Sequence, residues 1–333
     1  MIVLVSNLWP RQRYYERLPE MLASLEKYRS DPVFDNVLKS VSLEQFIPAT
    51  EDGREAGEDE EFGSLSSPEG TFDVLKQYMF FTLVLRATLL KYGGDVSRVI
   101  GYCSGLIPVL NVLDEGMLLD ASLSNISPII LSQLIDQDVC VSDNVLGSKV
   151  ATSIVSFKSK APAENLILDI LSRVKLENVY ISERKSVSKF VLCGDRKNLN
   201  EAILSLSKAF PGQIIHSRPK PHGGLHTPLA RPDTSLDLDF HSTWRGLNKR
   251  LVEFPNKVWS SYDECPDGAS DIRFEAWVRS SFFDVVRTDK MVACLQQSGE
   301  KVVAIGLPNI IKEIFSGTEM RSRDVSLIGP EDL

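Results

Sequence analysis

The segment Gly101-Tyr102-Cys103-Ser104-Gly105 constrains this chain more than any other. It follows the apolar pair Val99-Ile100 and precedes a helical run that starts at Leu106, so it reads as a sharp turn between a strand and a helix. Such a turn strains the backbone of its central residue, and flanking glycines keep Cβ atoms out of the way of the packed helix. A cysteine placed there stands at a helix N-terminus. Unpaired N–H groups and the helix dipole then favour a thiolate and a tetrahedral oxyanion. The bland alternative is a buried structural cysteine in a glycine turn. Ile2–Val5 and Val302–Gly306 are, like Val99-Ile100, apolar without alternation. That is the pattern of strands buried on both faces of a parallel sheet. The expected fold class is therefore α/β, with a parallel sheet presenting the turn.

Helical spacing of apolar residues predicts helices over Arg11–Lys27, Phe34–Phe46, Thr71–Tyr92 and Trp277–Ser298. Glu51–Gly70 is acidic with Gly, Ser and Pro and reads as a solvated loop. From Phe315 onward no pattern is clear. Lys149–Arg218 has its own order: strand Ala151–Phe157, helix Ala163–Val174, strand Asn178–Ser182, strand Ser188–Cys193, helix Lys197–Phe210, strand Gln213–His216. This βαββαβ order is that of a ferredoxin-like unit. The expected division is residues 1–148 as the first part of a large lobe with the nucleophile turn, and 149–218 as an inserted small lobe. Residues 219–315 form the second part of the large lobe, and 316–333 a C-terminal tail or linker.

A hydrophobic content of 43% and a charged content of 25% exclude whole-chain disorder and the fibrous classes. The net charge of −8 argues against a general nucleic-acid binder. No apolar run approaches the ~18 residues of a membrane span, so no membrane partner is expected. The five cysteines are odd in number, widely spaced and without a C-x-x-C pair. They predict no metal site and reduced thiols in the cytoplasm. Cys140 and Cys193, in apolar runs, read as inert core thiols, and Cys265 and Cys294 carry no signal. A thiol nucleophile needs a base, and four histidines are available. His216 ends a strand, His222 and His226 lie in Pro221–Leu229, and His241 lies in an acidic patch with Asp237 and Asp239.

Taken in order, Gly101-Tyr102-Cys103-Ser104-Gly105, the βαββαβ insertion, Leu225-His226-Thr227-Pro228-Leu229 and Ala276-Trp277-Val278-Arg279 resemble the acyltransferase family of fatty acid and polyketide synthases. Cysteine in the nucleophile position, and the N-terminal layout, look most like the starter-unit acyl-carrier-protein transacylase domain of fungal non-reducing polyketide synthases. The resemblance runs from Val3 to Ile311 and implies an α/β-hydrolase-like large lobe with the ferredoxin-like lobe inserted. By position it implies Cys103 as nucleophile and His226 as general base, since Thr227-Pro228-Leu229 follows His226 and not His222. It implies oxyanion donors at the backbone N–H of Ser104 and of Asn7 or Leu8. It also implies a backbone carbonyl steering the base, expected within Asn256–Ser261. Tyr102, Gly223, Gly224 and Leu225 are expected to line the acyl pocket.

Extender-unit relatives carry an Arg one helix after the nucleophile, to pair with the malonyl carboxylate. Here no Lys or Arg occurs from Val99 to Ser148. An acyl chain ending in apolar carbon is the expected substrate. No bound cofactor is implied; phosphopantetheine or coenzyme A carries the acyl group as a thioester. The implied partners are donor and acceptor acyl carrier proteins and other domains of a multidomain synthase. Arg218, Lys220, Arg231, Arg245, Lys249 and Arg250 are candidates for carrier docking. Two rivals remain at this level: a thiol α/β-hydrolase, and a degenerate domain that only docks carriers.

Overall fold

In the computed structural model the described residues are 1–6, 18–46, 68–113, 115–116, 150–159, 164–173, 178–221, 224, 226–229, 258–261, 284–306, 311–312, 314–315, 320 and 324–333. Among them the chain runs β1 (Ile2–Val5), α1 (Leu18–Leu25), α2 (Pro32–Ser40), α3 (Pro68–Tyr92), β2 (Arg98–Gly101) and α4 (Leu106–Leu113). Then come β3 (Val150–Phe157), α5 (Glu164–Arg173), β4 (Val179–Ser186), β5 (Lys189–Asp195), α6 (Arg196–Ala209), β6 (Ile214–His216) and β7 (Lys220–Pro221). The last elements are β8 (Val258–Ser261), α7 (Thr288–Ser298), β9 (Val302–Ile305) and β10 (Val325–Leu327).

The apolar runs form a parallel sheet of order β10-β9-β1-β2-β8. Val3 sits between Val99 and Val303 in register. Alternate residues face opposite ways. Val3, Val5, Val99 and Val303 join a core with α1 to α4, while Ile2, Leu4, Ile100 and Val302 join another with α7. Both faces are covered, which is why these strands show no polar alternation. Asp31 caps α2 by accepting from Val33 N–H at 3.0 Å, and Arg86 of α3 grips the same carboxylate with two bonds at 3.0 and 2.7 Å.

The second sheet is antiparallel, of order β4-β5-β3-β6, with β7 also pairing β3. This is the ferredoxin-like arrangement that the βαββαβ order implies. In β3 buried residues alternate with half-buried ones. Its buried Ala151, Val155 and Phe157 pack with Leu171, Leu199 and Leu206 from α5 and α6. The molecule is thus a mixed α/β fold with a parallel sheet and a separate antiparallel sheet.

Several expectations change in detail. The second helix stops at Ser40 and is followed by a single 3-10 turn, Leu43–Phe46. Of the helix expected over Trp277–Ser298, Thr288–Ser298 is helical, Val286 instead forms a bridge with Glu183, and residues 277–283 lie outside the described residues. The segment expected as a tail without pattern adds edge strand β10 to β9, and Ile328 and Leu333 are buried in the core. A three-residue strand is too short to show a period. Cys193 is fully buried in the core, as expected. Cys294 is not reduced: it is disulfide-bonded, a spatial pairing that sequence spacing does not report. Cys140, Cys265, the acidic stretch up to residue 67 and residues 276–279 lie outside the described residues. Among the described residues no helix is long and apolar enough to cross a membrane.

Candidate active site

Strand β2 ends at Gly101, and Cys103 opens a three-residue 3-10 turn that runs into α4. The turn hangs on β1, since Tyr102 N–H donates to Val5 O at 2.8 Å. A Cβ on Gly101 would lie 2.7 Å from Leu106 Cα, and one on Gly105 would collide with the Val5 carbonyl oxygen. Both glycines are therefore steric requirements, and not only loop formers. Between them Cys103 has φ +52°, a left-handed conformation that costs a non-glycine residue about 1–3 kcal/mol. Strain of this kind persists where the surroundings over-determine it, and it aims the side chain.

Cys103 Sγ lies 3.0 Å from His226 Nε2. His226 is also left-handed, at φ +61°, and buried. Its turn is tied by Thr227, whose hydroxyl donates to Gly224 O and accepts from Leu229 N–H at 3.1 Å. On the far side of the ring, Nδ1 lies 2.9 Å from Asp284 O. A carbonyl only accepts, so Nδ1 carries the proton and Nε2 is left with a lone pair facing the thiol. The steering group is a backbone carbonyl, as implied, but it comes from Asp284. Residues 258–261, where it was expected, are instead strand β8 beside β2.

The thiolate expectation does not hold for the resting site. Burial pushes the Cys103 thiol up to about 12; the Ser104 N–H pulls it down, the Glu183 carboxylate raises it, and the Ser104 hydroxyl pulls it down. Desolvation outweighs the short helical turn's donors. Tyr78 of α3 is fully buried beneath the turn and hydrogen-bonds the Ser104 hydroxyl; burial raises its phenol strongly. Tyr102 points to a polar cluster with Glu183 and Thr288, and its phenol is likewise raised by burial first and the Glu183 charge second.

Of the residues expected from sequence, Tyr102, Cys103, Ser104 and His226 come together. Gly224 has φ +71° and serves the Thr227 turn. Arg218 and Lys220 are exposed on the segment that leads from β6 through β7 toward His226. Asn7, Leu8, His222, Gly223, Leu225, Arg231, His241, Arg245, Lys249 and Arg250 lie outside the described residues. His216 is exposed at the end of β6. Nothing in the sequence pointed to Tyr78, Glu183, Asp284 or Thr288.

No family model and no curated protein matches this chain. Solved structures do. The acyltransferase domain from the second module of the salinomycin polyketide synthase matches 98% of this chain and 68% of its own, at 14% identity and a TM-score of 0.56. The malonyl CoA-acyl carrier protein transacylase from Clostridium perfringens matches 100% and 93%, at 14% identity and 0.53. The acyl-carrier-protein S-malonyltransferase from Bartonella henselae matches 99% and 96%, at 12% identity and 0.52. At such identities the likeness is one of fold: this chain has the acyltransferase fold.

Proposed function

We propose that this chain is a starter-unit acyltransferase. It takes an uncharged acyl group from a coenzyme A or carrier-protein thioester, holds it as a thioester on Cys103, and passes it to the phosphopantetheine thiol of an acyl carrier protein within a polyketide synthase. The observation that carries this reading is the 3.0 Å approach of Cys103 Sγ to the lone-pair nitrogen of His226, on a strained turn beside the Ser104 N–H. The acyltransferase fold supports it.

The chemistry follows from the proton inventory. The thiol proton moves to His226 Nε2 as the sulfur attacks the thioester carbonyl, so no free thiolate accumulates. The new S–C bond forms, and the oxyanion is held by the Ser104 N–H together with a donor from the segment after β1. Collapse breaks the bond to the pantetheine sulfur, which leaves with the proton from the imidazolium. Asp284 O stabilises that imidazolium through Nδ1–H. The second half runs in reverse with the acceptor thiol. Exchange of one thioester for another is nearly isoenergetic, so the acyl enzyme is not a sink.

The test is intact mass after incubation with acetyl-, hexanoyl- and malonyl-CoA, then with a phosphopantetheinylated carrier protein. The expected result is an adduct on Cys103 that moves to the carrier. Rapid loss of the adduct to water would establish a thiol hydrolase instead. No adduct with any thioester would leave only a docking domain.

A further inference from the structure

The antiparallel sheet reaches into the site at one residue. In β4 the register with β5 slips twice, between Ile181 and Glu183 and again between Arg184 and Ser186; at the first slip Ile181 pairs with Leu192, and Glu183 pairs with Val191. Ser182 is therefore the extra residue of a β-bulge. Without the slip Glu183 would stand opposite Phe190, on the face of Ile181, and both of those belong to the apolar core under α5 and α6. Residues directly opposite in an antiparallel pair share a face. The bulge thus moves a carboxylate off the core face and onto the face of Val191.

There Glu183 Oε1 accepts from Tyr102 Oη at 2.9 Å and from Thr288 Oγ1 at 2.8 Å, and the two hydroxyl oxygens are 2.9 Å apart. Tyr102 immediately precedes Cys103. Thr288 opens α7, just after the segment whose Asp284 carbonyl holds His226. That segment is also laced to β4 by backbone bonds, Val286 N–H to Ser182 O at 3.0 Å and Arg184 N–H to Val286 O at 2.8 Å. Both hydroxyl residues are buried, so neither finds water as a substitute partner.

We propose that Glu183 is a positioning residue: its carboxylate fastens the turn bearing Cys103 to the segment that holds His226, and so sets the approach of Sγ to Nε2. The choice of acyl substrate in its test rests on the function proposed above; the fastening itself does not. Lys185 Nζ lies 3.3 Å from Glu183 Oε2, and Arg184 and Arg287 both engage Asp289, at 3.4 and 3.0 Å. From the nucleophile turn, the Cys103 thiol feels the Glu183 charge.

The experiment measures two rates on the full chain: hexanoyl loading from hexanoyl-CoA, and alkylation of Cys103 by iodoacetamide at pH 7.5. Glu183→Ala is expected to lower the loading rate constant about 10–100-fold with KM nearly unchanged, as a displaced reacting pair does. Glu183→Gln keeps an oxygen that accepts both hydroxyl bonds and should restore loading to within about 5-fold, a rescue in the range of a retained neutral hydrogen bond. In alkylation, Glu183→Ala and His226→Ala should be non-additive, because one acts through the other. Loading by Glu183→Ala at the wild-type rate overturns the proposal, and so does strict additivity in alkylation. Should Glu183→Ala fail to fold, Tyr102→Phe removes one of the two fastenings, and its loading at the full rate overturns the proposal equally. Should wild type accept no acyl group, the function reading fails, and the alkylation cycle alone decides the role of Glu183.

Discussion

The Cys103 thiol, pushed up to about 12 by burial, is protonated throughout the physiological range, so in the proposed transfer its reactivity depends on a base that acts during bond formation. Three consequences are measurable. Cys103→Ala forms no acyl adduct, and His226→Ala slows loading by about 10²–10⁴-fold, the usual worth of a positioned general base. In the His226→Ala background, where only free thiolate reacts, the logarithm of the iodoacetamide rate should climb steadily from pH 7 to 10. A plateau just above the ordinary thiol value of ~8.5 would contradict the buried, neutral thiol. Stability carries the same signature with a definite sign. Above ~8.5 the unfolded chain releases the proton that folded Cys103 still holds. The folded state then binds more protons, and stability falls as pH rises from there toward about 12. Between pH 8 and 10 the unfolding free energy from urea melts should drop for wild type by about 1–2 kcal/mol more than for Cys103→Ala. The buried Tyr102 and Tyr78 phenols, also raised, act in the same direction in both proteins and cancel in the difference.

At the scale of elements, the strand–turn–helix unit works because backbone meets backbone. A methyl group on Gly105 would press on the Val5 carbonyl, which is itself held in β1 and cannot yield. Gly105→Ala should cost about 1–3 kcal/mol and abolish loading, since any relief displaces the turn. Gly94, after α3, has open space around its Cβ position, so Gly94→Ala should leave stability within about 0.5 kcal/mol and loading unchanged. Thermal melts and intact mass of both variants decide this. The same contrast explains what was legible in the sequence. The nucleophile turn, the buried strands and the βαββαβ unit rest on local signals: glycine spacing and apolar periodicity. The surroundings of the dyad do not. Asp284 meets His226 across 58 residues of chain, and Glu183 meets Tyr102 across 81. Glu183 sits in a polar stretch that looks like any solvated strand, and the bulge that turns it leaves no mark in composition. His226 itself was singled out by resemblance; the residues alone left four histidines open. The edge strand β10 and the Cys294 disulfide escaped for the same reason, because each is specified by what it meets in space.

Across the whole molecule, the proposed function makes charge the property that would decide which acyl groups and which partners approach. Among the described residues, Lys185 pairs with Glu183, the carboxylate that Tyr102 bonds, and Arg184 and Arg287 pair with Asp289. The stretch Val99–Ser148 that follows the turn contains no Lys or Arg to pair with a malonyl carboxylate, so malonyl-CoA should load at least about 10-fold more slowly than hexanoyl-CoA, the factor that ~1.4 kcal/mol of unmatched charge produces. Carrier docking poses the opposite problem. The chain has a net charge of −8, and the carrier proteins that the resemblance implies are acidic, so on the proposed function the two would meet through a local positive patch. Arg218 and Lys220 are exposed on the segment leading to His226, where, on the proposed function, positive charge would steer an incoming phosphopantetheine arm toward Cys103. Reversing Arg218, Lys220 and Arg231 together should raise KM for a carrier-bound substrate about 5-fold or more at low salt, through the association rate. Loading from an N-acetylcysteamine thioester, which has no carrier to dock, should stay unchanged in the same variant. The carrier defect should also shrink as salt is added, because exposed charges are screened over ~8–10 Å at physiological ionic strength. Normal transfer by the reversed variant at low salt would move the docking surface elsewhere, onto the antiparallel sheet and its helices, which already reach the dyad through Glu183.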